Sequence, residues 1–150
     1  MKPTIYSSSF VLCALVILTL VSITNGLTNS SLVDPKDYPE NNVLVLGARL
    51  TMYWLADIEN DIIEIALKST VTNGWIAIGI DPLPDNGMHE VDCILAYPSS
   101  SGAVVEDMYI TRQNVAPVPD TSRGGQYSII QSAGVVADGF FHVKFTRSIN

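Results

Sequence analysis

The chain has 150 residues, enough for one domain and not for two, and its 15 acidic against 8 basic side chains give a formal net charge of -7. Beyond Lys2, the basic residues Lys36, Arg49, Lys68, Arg112, Arg123, Lys144 and Arg147 are scattered. Binding to a phosphate backbone needs such residues clustered, so nucleic acid is excluded as a partner.

Residues 1–26 read as a secretory signal peptide. Lys2 gives a short positive start, Phe10 to Ile23 is an almost unbroken apolar run, and Thr24 to Gly26 offer small residues for cleavage. The run falls short of the roughly 20 apolar residues that a spanning helix needs, and no second run of that kind follows. Its loss would remove Lys2 and no acidic residue, moving the formal charge from -7 to -8, and it accounts for part of the positive mean hydropathy. The expected location is therefore extracellular, or on the lumenal face of the secretory pathway, and solubility there is a sufficient reason for the acidity. Cys13 would leave with the leader, so Cys93 is the one cysteine of the mature chain.

Residues 27–42, with Pro35 and Pro39, read as a flexible lead-in without a core of its own. Within it Asn29-Ser30-Ser31 matches the glycosylation acceptor pattern. From Val43 onward the apolar residues recur in short bursts with period two. Strands are expected at Val43 to Leu46, Leu50 to Ala56, Asp61 to Val71, Trp75 to Ile80, Val91 to Tyr97, Val104 to Ile110, Tyr127 to Ser132 and Phe140 to Ile149. Turn formers punctuate them at Asn73-Gly74, Ser99 to Gly102, Gly124-Gly125 and Asp138-Gly139. Many short strands so separated predict an all-β fold over residues 43–150, an antiparallel β-sandwich of immunoglobulin-like general architecture. Phe140 to Ile149 runs almost to the final residue with no closing turn, which suggests a fragment, or a reduced form that leaves an edge open to pairing.

Chemistry-bearing side chains concentrate in Asn73 to Tyr97, NGWIAIGIDPLPDNGMHEVDCILAY. A loop broken by Pro82, Pro84 and Gly87 connects two strands and carries Met88, His89 and Glu90, with Asp92 just beyond. The phrase GWIAIGI, a proline-rich acidic turn, and GMHEVDCILAY with Met88 four residues before Asp92 resemble the signature of the DOMON domain, the extracellular β-sandwich module first described in dopamine β-monooxygenase. Leu50 to Trp54, the Glu106-Asp107 pair, Pro119-Asp120 and the late strand Phe141 to Arg147, of the form F-x-V-x-F-x-R, follow in the same order as in that family.

The resemblance implies a b-type haem held in part by Met88 as one axial ligand, with a downstream histidine as the other. A thioether and an imidazole leave no open position on iron, which suits electron transfer to a redox partner. The family histidine is expected beyond the late strand, so His89 and His142 are the histidines available here. His89 adjoins Met88 and cannot easily reach the opposite face of one porphyrin. His142 shares a strand face with Lys144, opposite in parity to Phe141, Val143 and Phe145, and is expected to face solvent.

Other readings stand beside this one. The family also includes sugar-binding modules, in which Trp54, Trp75 or Tyr97 would present a flat ring to a pyranose; both tryptophans lie in expected strands, where core packing competes for them. Asp81, Asp85, Glu90 and Asp92 could attract a hard cation, although their spacing is not that of an EF-hand. The chain could instead be the amino-terminal domain of a copper-dependent monooxygenase-like protein. It carries no nucleophile elbow, phosphate loop or zinc spacing, so no catalytic residue is assigned.

Overall fold

The computed structural model describes the backbone of residues 11–13 and, with their side chains, residues 32–80 and 90–149. Asn29, Met88 and His89 lie outside the described residues.

Two sheets face each other. One has the strand order β1-β5-β6-β7-β8, formed by Val11–Cys13 (β1), Ile76–Ile80 (β5), Val91–Ser99 (β6), Gly102–Ile110 (β7) and Val118–Pro119 (β8). The other has the order β2-β3-β4-β10-β9, from Val43–Leu46 (β2), Leu50–Asp57 (β3), Ile62–Ser69 (β4), Ile129–Ala137 (β9) and Phe140–Ser148 (β10). All pairings are antiparallel except that of β1, which lies parallel along β5. The chain is thus an all-β sandwich of antiparallel type, as its period-two pattern requires. Among the described residues no helix is long and apolar enough to cross a membrane.

Alternation decides what fills the space between the sheets. Met52 and Trp54 of β3, Ile65 and Leu67 of β4, and Phe141, Val143 and Phe145 of β10 point inward. They meet Ile76, Ile78, Ile94, Ala96 and Val105 from the opposite sheet. Burial of side chains of this size stabilises by roughly 1.5–3 kcal/mol each. β7 and β9 close one corner, where the backbones approach too closely for side chains: a Cβ on Gly134 would lie 2.5 Å from the Ala103 Cβ, and one on Gly102 would lie 2.9 Å from the Gly134 carbonyl oxygen.

β10 is paired on one side with β4 and on the other with β9, so β2 and β9 are the outer strands of that sheet. Two expectations are corrected. The part of the lead-in that is described is not without a core: Val33 and Tyr38 are buried against Tyr53 and Ala66 on the outer face of the second sheet. His142 and Lys144 therefore do not face solvent. They project outward as their parity demands, but the segment from Leu32 to Asn42 covers that face and leaves each only 4% exposed.

Candidate functional site

The outer face of the first sheet carries a cavity. Ala77 of β5, Cys93 and Leu95 of β6, and Ile110 of β7 form its floor. Trp75 and Tyr97 stand at one end, and residues 113–117 of the β7–β8 connection wall the other side, enclosing a cavity of about 890 Å³. That volume lies in the roughly 300–1,000 Å³ range of small-molecule and cofactor sites, and the mainly apolar lining with a few polar groups, Gln113 and Asn114, matches their usual composition. Trp75 departs from expectation. It precedes β5 instead of lying within it, and it is 41% exposed, whereas Trp54 is packed in the core. Cys93 is a fully buried thiol in the floor.

The connection that carries Met88 and His89 springs from the same sheet. Its two ends are fixed by the pairing of Ile80 with Asp92. Asp92 faces inward and accepts a 2.7 Å hydrogen bond from the guanidinium of Arg147 on β10, joining the two sheets at the base of that connection. Two motifs separated by 55 residues thus meet: the aspartate four residues after Met88 and the arginine that ends F-x-V-x-F-x-R. Burial pushes the Asp92 carboxyl above the usual carboxylate range, Asp107 and Asp120 add to that, and Arg147 offsets it in part.

Asp107 reinforces the same end of the sandwich. Its carboxylate accepts from the backbone N–H of Ser128 at 2.6 Å and from the Ser128 hydroxyl at 2.7 Å. Glu106 points to the other face, where Tyr97 donates to it at 3.5 Å, so this adjacent carboxylate pair is divided between two faces as strand geometry dictates.

His142 is not part of the groove. It stands on the outer face of the opposite sheet, where its Nδ1 accepts from the Val33 N–H at 3.1 Å. Of the acidic residues that suggested a cation, Asp81 and Asp85 lie outside the described residues, Glu90 is exposed and Asp92 is committed to Arg147. Among the described residues no cluster of three or more His, Cys, Asp or Glu side chains could hold a metal ion. Sequence reasoning missed the wall at 113–117, which carries no motif, and the exposure of Trp75, for which the Asn73-Gly74 turn just before it was the available signal.

A two-sheet sandwich with an apolar groove on one outer face defines a ligand-binding module. A model of the DOMON domain matches residues 46–150, and the chain belongs to that family of haem- and sugar-binding modules. No match was found among curated proteins or among solved structures.

Proposed function

We propose that this chain is an extracellular haem b module for electron transfer, with the groove on the outer face of β5, β6 and β7 as the cofactor site and Met88 as one axial ligand. The observation that carries the reading is the apolar groove on the very sheet whose β5–β6 connection bears Met88. Its walls suit a flat macrocycle. Ala77, Leu95 and Ile110 offer an apolar floor, and Trp75 and Tyr97 offer ring faces at its end. Bound haem would supply one-electron chemistry, and the protein would exclude water from it and fix its orientation. The Asp92–Arg147 pair ties the strand that follows this connection to the opposite sheet.

The test is an absorption spectrum of the purified chain supplied with haem, before and after dithionite. A sharp Soret band with reduced α and β bands, altered in Met88→Ala, is the expected result. A spectrum no different from free haem, from protein folded by circular dichroism, would sink the reading.

One observation favours a second reading, carbohydrate recognition. Trp75 is 41% exposed at the groove, with Tyr97, Gln113 and Asn114 also lining it, which together offer stacking faces and amide hydrogen-bond partners to a sugar ring. Calorimetric titration with oligosaccharides, with Trp75→Ala as control, tests it. Heat of binding that survives the substitution would count against it.

A further inference from the structure

We propose that the bond from Val33 to His142 is a pH-sensitive clasp, which holds residues 32–42 over the outer face of the second sheet at neutral pH and releases them on acidification. The donor in this bond is a backbone N–H, so Nδ1 must be the acceptor and the ring proton must sit on Nε2. Imidazolium carries a proton on both nitrogens. Turning the ring over therefore does not help, because either nitrogen then presents N–H to N–H. The bond exists only while the ring is neutral.

The surroundings of the ring oppose its charging. His142 is 4% exposed, and its Nε2 is buried with no partner in good hydrogen-bond geometry to stabilise a positive charge. Each element packed on this face contributes charged or titratable groups. Lys144 lies on the same strand, and its ammonium is 3.8 Å from Asp37 of the covering segment. β4 supplies Lys68, which sits over the Phe140 ring at 4.5 Å, and Glu64, whose carboxylate accepts from the Tyr38 hydroxyl at 2.7 Å. β3 supplies Tyr53, 5.2 Å from the Tyr38 ring between centroids. Asp34 caps its own short turn by accepting from the Lys36 N–H at 3.0 Å, and Asp138 lies in the β9–β10 turn. Burial and the two lysines hold the His142 ring below the ordinary histidine range, against the opposing pull of the Ala137 carbonyl and Asp138.

The linkage has a definite sign. A ring harder to protonate in the closed form than in the open one costs nothing above the open-form pKa of about 6.5, and favours opening increasingly below it. One proton so linked raises the opening constant by at most about tenfold between pH 7.5 and pH 5.5. The apolar contacts of Val33 and Tyr38 stay the same over that range and add nothing to the slope.

Hydrogen exchange of the Val33 amide and limited proteolysis within residues 32–42, followed from pH 7.5 to 5.5 beside nitrogen NMR of the His142 ring, test the clasp on the unaltered chain. The expected result is a neutral ring with Nδ1 unprotonated at pH 7.5, and an opening that rises with acidification by up to about tenfold. His142→Gln, whose side-chain carbonyl can accept the same N–H, should flatten that response. Protonation of the ring with Val33 still protected would overturn the proposal. So would an equal pH response in the glutamine variant. If that variant does not fold, the ring titration of the unaltered chain decides the matter alone.

Discussion

At the scale of single residues, the glycines at the corner between β7 and β9 stand where no Cβ fits. Gly134 is the clearest. Its φ is ordinary, so conformational freedom is not the reason for glycine there; the reason is the Ala103 side chain and the His142 carbonyl oxygen, 2.5 and 2.7 Å from where a Cβ would stand. Both obstacles are held by strands that cannot yield without loosening the corner between β7 and β9. Gly134→Ala is expected to destabilise by about 1–3 kcal/mol, read as a lower urea midpoint. Arg147→Met acts at the opposite kind of contact. It leaves the carboxylate of Asp92, already pushed up by burial, without its guanidinium, at a cost of roughly 1.5–3 kcal/mol tempered by the 35% exposure of the aspartate side chain. Adding Asp92→Asn to that variant should recover part of the loss, and a double-mutant cycle measures the coupling. Additive losses would mean that the pair contributes nothing of its own.

At the scale of elements, strand identity was legible because it is carried by alternation, and alternation survives any tertiary arrangement. β2, β3, β4 and β10 fall within two residues of expectation at each end. β9 does not: it starts two residues late and continues to Ala137, since Ala133-Gly134-Val135-Val136 pair with β10 although Gly134 interrupts the apolar pattern. What alternation cannot say is which outward faces are covered. His142 and Lys144 were placed on the correct face and given the wrong environment, because the cover comes from a proline-bearing segment with no period of its own. The same limit applies to the groove, whose wall is a connection without pattern. Tyr38 is the best probe of the covering segment. Tyr38→Phe keeps the ring against Tyr53 but removes the 2.7 Å donor to Glu64, a carboxylate only 2% exposed. A loss of roughly 1.5–3 kcal/mol is expected for a hydrogen bond to a buried charge, together with faster exchange at the Val33 amide. A drop in global stability with Val33 still protected would show that the segment is held without the bond from Tyr38 to Glu64.

At the scale of the whole molecule, the two tryptophans report separately on core and groove, and this permits one experiment to distinguish the two ligand classes. Trp54 is 7% exposed inside the sandwich, while Trp75 is 41% exposed at the groove. A domain of this length has a radius of gyration of about 15 Å, so haem bound anywhere on it lies close enough to both rings to quench them by energy transfer. A sugar has no absorption band to accept that energy. It can alter only the ring it stacks upon. The unaltered chain cannot tell these apart by loss of intensity, but Trp75→Phe can, because the remaining emission comes from Trp54 alone. In that variant haem should still quench nearly all the emission, whereas an oligosaccharide should leave it unchanged while shifting the emission of the unaltered chain. Quenching of Trp54 by a saturating, stoichiometric amount of haem places the cofactor on the folded module, and Met88→Ala then asks whether that residue holds it. A response to sugar confined to Trp75 would instead make the groove a carbohydrate site, with its exposed indole as the platform.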